Sequence, residues 1–157
     1  MGAGEIERFG ALQLARGRLW IGRPRAWFPL VPFGVSLTPI GIQAGCGPVP
    51  ARGHTPWDEV SSVAVKLPQR SGPLRTLVVR WTVGDEWRRT FWSSAPVNWR
   101  GDLSPLERHA TQRLPDALRR SSALRGCLRS EDAIAELLGR LAAAPDVAAM
   151  DRVLEQP

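Results

Sequence analysis

Apolar and polar positions alternate with a period of two through residues 77–83. Leu77, Val79, Trp81 and Val83 fall on one face, and Val78, Arg80 and Thr82 fall on the other. This is the pattern of a half-buried β-strand, and Gly84-Asp85 then breaks it. A second run follows, with Trp87, Arg89 and Phe91 alternating against Arg88, Thr90 and Trp92, so the pair predicts a β-hairpin. Its register matters, because a slip of one residue would exchange core and solvent faces. A two-residue turn at Gly84-Asp85 sets Arg80 against Arg89 and Val83 against Glu86, which pairs like charges. A three-residue loop at 84–86 instead sets Val83 against Trp87 and Val79 against Phe91, favourable aromatic and β-branched pairs. The second register is preferred. It places Arg89 opposite Trp81, with its guanidinium over the indole, and turns Arg80 and Arg88 to solvent.

Shorter strands are predicted at 12–21, 35–38, 41–45 and 56–65. Turn chemistry separates several of them at Gly45-Cys46-Gly47-Pro48 and Ala51-Arg52-Gly53-His54. The chain therefore reads as successive antiparallel strands rather than strand-helix-strand units. Beyond residue 95 the alternation ends and proline, serine and arginine take over, so residues 96–129 read as a long connection. One or two short helices are predicted within 103–120, capped by Ser104 with Pro105 in the first turn and broken before Pro115. After Ser130 the period lengthens to that of a helix. Ile134, Leu137, Leu138 and Leu141 share one face, and Glu131 and Asp132 occupy the first turn, where the helix dipole favours them. Pro145 ends or kinks this helix, and a further turn or two carries Val147, Met150 and Leu154 on one side.

A chain of 157 residues can bury one proper core but not two. With 43% hydrophobic and 23% charged residues it has the composition of a folded globular domain. Cys46 and Cys127 stand in no metal-binding spacing and are expected to be reduced. Glu5 and Glu7 occupy the place where a signal peptide wants positive charge, so none is expected and the chain is placed in the cytoplasm. The longest apolar patch, residues 26–35, is interrupted by Pro29 and Pro32 and is too short to span a membrane.

The net charge of +6 is carried almost wholly by arginine and is unevenly spread. Residues 96–129 hold 7 basic and 3 acidic side chains, whereas residues 130–157 hold 2 and 6. That asymmetry admits an anionic partner, an acidic tail docked on its own basic body, or simply a solvated arginine-rich surface.

The run of short strands, Leu37-Thr38-x-x-Gly41-Ile42, Pro56-Trp57-Asp58-Glu59-Val60 opening a strand, the Trp-rich hairpin and the terminal amphipathic helix resemble bacterial PH-like (pleckstrin-homology-like) domains. The resemblance covers residues 12–95 and 130–144. It implies a mainly β fold with a C-terminal α-helix: two sheets forming a partly open antiparallel β-barrel at 12–95, entered by an arm at 1–11 and capped by a helix and tail at 130–157 of the same domain. The long connection at 96–129 and the proline-rich first loop depart from the family pattern. From the residues themselves, Trp57, Val60 and Val63 reach the interior if a bulge resets the alternation, and Asp58 can cap backbone donors at the strand entry. With Leu77, Val79, Trp81, Val83, Trp87, Phe91, Ile134, Leu137, Leu138 and Leu141, Trp57 and Val60 form the expected core.

Catalytic chemistry is not expected. Asp58 and Glu59 are adjacent in a predicted strand and point to opposite faces, so they cannot flank one substrate. His54 and His109 have no nucleophile motif beside them, and the glycines near Cys46 lack the Gly-Lys-Ser/Thr of a phosphate loop. No cofactor or metal is implied. Arg100-Gly101-Asp102 is a short tripeptide of the kind that recurs by chance, and it carries no argument.

Three binding functions remain. The first is a non-enzymatic interaction or scaffolding module for a protein or peptide partner, with Arg80, Arg88, Arg119 and Arg120 as candidate contact residues. The second is peripheral attachment to the anionic inner face of the membrane. Arg16, Arg18, Arg23 and Arg25 cluster as a basic loop just before Trp27 and Phe28, and each arginine near such a surface contributes about 1 kcal/mol. The third, nucleic-acid binding, is prompted by 7 tryptophans and a pI near 11.1, but no recognisable nucleic-acid motif accompanies them.

Overall fold

The computed structural model describes residues 8–27, 31–46, 54–66, 76–84, 86–94 and 103–157; within the strands, the side chains of 23–27, 31–34, 44–46, 76–78 and 86–94 fall outside that description. Six strands follow one another as an antiparallel meander: β1 (Arg8–Phe9), β2 (Leu12–Ala15), β3 (Arg18–Trp27), β4 (Val31–Leu37), β5 (Gly41–Cys46) and β6 (His54–Pro56). A single 3-10 turn at Trp57–Glu59 leads into a second, three-stranded sheet of β7 (Val60–Lys66), β8 (Thr76–Val83) and β9 (Glu86–Ser94). Four helices complete the described chain: α1 (Pro105–Arg120), α2 (Ser122–Gly126), α3 (Glu131–Ala143) and α4 (Val147–Glu155). The fold is thus antiparallel sheet with C-terminal helices. Strand pairing does not join the two sheets among the described residues, so they form no closed barrel.

The strand expected at 12–21 is instead the hairpin β2–β3. Ala15 pairs with Arg18, and both intervening residues have left-handed backbone, Arg16 at φ 52° and Gly17 at φ 76°. Two positive φ values in a two-residue loop match the twist of the flanking strands, which a continuous strand cannot do. The sheet also begins earlier than residue 12, since β1 pairs with β2 inside the segment read as an arm.

The two phrases that carry the family resemblance meet in space. The Thr38 hydroxyl donates to the Gly41 carbonyl at 2.8 Å and accepts from the Gly41 amide at 3.0 Å, closing the β4–β5 turn. The buried Trp57 indole then donates to the Thr38 carbonyl at 2.8 Å. Residues 57–59 are the 3-10 turn rather than the strand entry, and Asp58 caps nothing there. Its side chain is 94% exposed, 4.0 Å from Arg125. Gly41 is required by close approach: a Cβ there would collide with the Thr55 carbonyl on β6 and lie 2.7 Å from the His54 ring. Gly41→Ala is expected to cost about 1–3 kcal/mol through overpacking, measured as a lower midpoint of urea unfolding; an unchanged midpoint would show that β6 can move away freely.

In the β8–β9 hairpin, Val79 pairs with Phe91 and Trp81 with Arg89, as the preferred register expects. Near the turn it fails. Val83 pairs with Glu86, not Trp87, because the register shifts between Trp81 and Val83. One extra residue on β9 allows the short turn without pairing Arg80 with Arg89. Val83 is consequently only half-buried at the strand end, and Arg80, expected in solvent, is half-buried as well. Leu77, Trp87, Arg88 and Phe91 have side chains outside the described residues.

The largest correction concerns residues 103–120, where a single helix of 16 residues, Pro105–Arg120, runs with Pro115 inside it. Ser104 and Glu107 make a reciprocal capping box, and the second Glu107 carboxylate oxygen accepts from the Gly10 amide at 3.1 Å, tying the helix start to the β1–β2 turn. Pro115 forfeits a backbone hydrogen bond, but it is buried with Ala110, Thr111, Leu114 and Leu118 on the face that α1 turns to the interior. Burial of that stripe outweighs the local penalty.

The terminal helix begins as expected. Ser130 caps α3 by accepting from the Ala133 amide at 3.1 Å, and Ile134, Leu137, Leu138 and Leu141 are all buried. On α4, Met150 and Leu154 are buried, whereas Val147, expected beside them, is 42% exposed in its first turn. Covering the sheets is shared: α1 packs on β7, and α3 packs on β1, β2 and β3. One continuous core runs from Leu12, Leu19, Leu37 and Ile42 through Trp57, Val60, Val79 and Trp81 to the helical leucines. No helix among the described residues is long and apolar enough to cross a membrane.

Candidate functional site

The amphipathic character of α1 creates the candidate site. With Ala110, Leu114 and Leu118 inward, the helical period puts Arg108, His109, Arg113, Asp116 and Arg120 on the outward half. α4 docks along one flank of that half. Its Asp146 cap accepts from the Ala149 amide at 2.8 Å, Met150 and Leu154 turn into the core, and Asp151 faces α1. His109 Nε2 lies 2.7 Å from Asp151 Oδ1, a hydrogen-bonded pair joining the two helices with both side chains only partly buried.

Between the helices lies a cleft of about 300 Å³. Its α1 wall presents Arg113, Asp116, Ala117 and Arg120, and its α4 wall presents Asp151, Leu154 and Glu155. Two of the lining carboxylates are already engaged. Asp116 accepts from Arg119 Nε at 3.0 Å and pairs with Arg120 Nη2 at 3.1 Å, while Asp151 holds His109. Arg120 nonetheless remains 67% exposed and keeps donors for a ligand. Ala117 and Leu154 supply apolar surface between the charged groups. Such an arrangement can bind and orient a chain with both charged and apolar side chains. The Ser121 hydroxyl, also on the lining, caps α2 by accepting from the Leu124 amide at 3.1 Å.

The sequence-predicted candidates fall in several places. Arg119 and Arg120 are on α1, at the cleft or beside it, both held by Asp116. Arg80 lies on β8 opposite Ala64 and Thr90, in the second sheet rather than the helical layer. The arginines read as one basic loop are spread along a strand. Arg16 is at the β2–β3 turn, and Arg18, an exposed residue bonded to Gln43 Oε1 at 2.9 Å, starts β3. Arg23, Arg25 and Trp27 follow along β3 with their side chains outside the described residues, as is Phe28 altogether. Arg16 therefore lies in the turn before β3 and Arg25 towards the far end of that strand, beyond the register shift between Ile21 and Arg25.

Arg113, Asp116, Asp151 and Glu155 were not legible as a site. The signal was available in the apolar spacing of Ala110, Leu114 and Leu118, which sets Arg113 and Arg120 on a common outward face once Pro115 is allowed within the helix. Three tryptophans are accounted for by the core: Trp20 donates to the Ala15 carbonyl at 2.9 Å, Trp57 to Thr38 at 2.8 Å and Trp81 to the Thr55 hydroxyl at 2.9 Å, and all are buried. Among the described residues, no cluster of three or more His, Cys, Asp or Glu side chains is arranged to hold a metal ion. Compared with known proteins, the chain matches no family model, no curated protein and no solved structure.

Proposed function

We propose that this chain is a non-enzymatic interaction module, PH-like in plan, that binds a peptide segment of a partner protein in the cleft between α1 and α4. The observation that carries this reading is the cleft itself: about 300 Å³, flanked by guanidinium and carboxylate groups with Ala117 and Leu154 between them. A few polar groups around an apolar floor are what orient a bound chain and confer specificity. The antiparallel sheets under a helical cover support the PH-like plan. Membrane attachment through the first basic segment is less well supported, because its arginines are strung along β3 rather than gathered in one loop. Nucleic-acid binding loses Trp20, Trp57 and Trp81 as stacking platforms, since all three are buried.

The test is selection from a displayed random-peptide library on the full chain. Sequences sharing a pattern are expected to emerge, to bind saturably, and to lose affinity tenfold or more when Leu154 is left intact and Ala117 is enlarged to Gln to block the cleft. Failure of any pattern to emerge, or binding indifferent to Ala117→Gln, would remove the reading.

A further inference from the structure

The helices are not held equally. α3 buries Ile134, Leu137, Leu138 and Leu141 and lies directly on β1, β2 and β3. α4 buries only Met150 and Leu154, with Ala149 and Val153 half-buried beside them, and it packs chiefly on α1 and α3. Its polar link to α1 is the His109–Asp151 pair, and both of those side chains are partly exposed, so the pair adds little. The seam is also incompletely filled. A cleft of about 300 Å³ opens between the two helices, so close packing does not extend along their whole contact.

The limits of α4 are drawn by its own hydrogen bonds. Asp146 Oδ1 accepts from the Ala149 amide at 2.8 Å, and the Gln156 amide donates to the Arg152 carbonyl at 2.8 Å, so these bonds close both ends from within the element. Towards α3, Ala144 and Asp146 have extended backbone, and Pro145 between them has no amide to donate. Helical hydrogen bonding is therefore interrupted at 144–146. A helix of 9 residues is marginal in water by itself, so its turns are lost together once its apolar side leaves the core.

We infer that α4 is a detachable wall of the cleft: residues 147–155 leave α1 as one unit, with the break at 144–146, while the sheets, α1 and α3 stay folded. The cleft exists only while α4 is docked, because Asp151, Leu154 and Glu155 form one of its walls. Elements that open below the global unfolding free energy are those with few buried apolar contacts, and α4 has fewer than α3. The consequence for binding rests on the module reading: a peptide seated between the walls shifts the population towards docked α4.

Amide hydrogen exchange on the full chain, followed residue by residue by NMR, tests the assignment. The amides from Met150 to Leu154 are expected to exchange tenfold or more faster than those from Leu137 to Leu141, at rates similar to one another. Urea below the unfolding transition should speed the α3 amides strongly and the α4 amides little. Two variants separate undocking from other openings. Trp81→Phe, far from α4 on β8, weakens the folded body in both the docked and the undocked state, so it should speed the α3 amides tenfold and leave α4 within twofold. Leu154→Ala removes a side chain buried only in the docked state and should speed the α4 amides tenfold or more. Equal rates and urea dependence for α3 and α4, equal acceleration of both by Trp81→Phe, or α4 rates indifferent to Leu154→Ala each overturn the assignment. If library selection yields no peptide, the free chain's exchange still decides it. Should a selected peptide that depends on Ala117 leave α4 exchange unchanged, the module reading stands and the part of α4 in binding falls.

Discussion

A chain ending at Arg129 is expected to lose cooperative unfolding altogether. The deletion removes α3 and α4 and with them Ile134, Leu137, Leu138, Leu141, Met150 and Leu154, every one buried in the shared core. Burying a side chain of this kind contributes about 1.5–3 kcal/mol, so the six together are comparable with the roughly 5–15 kcal/mol by which a domain is stable at all. The loss also uncovers the other side of the contact, because α3 lies on β1, β2 and β3, where Leu12, Leu19 and Ile21 are buried. Circular dichroism in the near ultraviolet should show no fixed tertiary signal for the truncated chain, and a hydrophobic dye should bind it. A sharp thermal transition at the full-length midpoint would mean instead that the sheets and α1 form a core of their own. The point substitution Leu138→Ala probes the same packing without deletion and should cost about 2–5 kcal/mol.

The second large effect is expected at Trp81. It is fully buried on β8, and its indole reaches across to donate to the Thr55 hydroxyl on β6 at 2.9 Å, so one side chain ties the three-stranded sheet to the edge of the six-stranded one. Trp81→Ala should destabilise by about 3–5 kcal/mol, the range for deleting a large aromatic side chain from a core. Trp81→Phe keeps most of the ring but leaves the buried Thr55 hydroxyl without its donor, for about 1–3 kcal/mol. Thr55→Val separates the two contributions. If the indole bond matters beyond volume, the double variant Trp81→Phe with Thr55→Val will be more stable than the sum of the single losses. Urea unfolding followed by far-ultraviolet circular dichroism measures all four proteins. A loss under about 1 kcal/mol for Trp81→Ala would show that the two sheets are not coupled through this residue.

The parts of the fold legible in the sequence are those in which local chemistry and tertiary packing ask for the same thing. Ser130 followed by two acids and a leucine stripe is a helix start on any account, and α3 buries the stripe that the period predicts. Trp81 opposite Arg89 follows from alternation together with the matching of cross-strand pairs. The failures occurred where the two levels disagree. Pro115 is a local stop signal, yet α1 runs through it because Leu114, Pro115 and Leu118 are covered on all sides. Arg16 is a poor residue for left-handed backbone, so the β2–β3 turn carries none of the usual Asn-Gly signature, and only Gly17 hints at it.

The candidate site lies wholly on that second side. Nothing in the order of residues brings Arg113 to Asp151 and Glu155, which are far apart along the chain; the docking of α4 on α1, driven by Met150 and Leu154, does so. The sequence by itself determined an antiparallel, tryptophan-bearing sheet region, a terminal amphipathic helix and an arginine excess, because periodicity, caps and charge are local properties. Only the tertiary structure decided that the arginine-rich stretch is a helix, that its cations share a cleft wall, and that the first basic segment is spread along a strand. Those outcomes depend on which faces find apolar partners, and burial of that kind is a property of the whole chain.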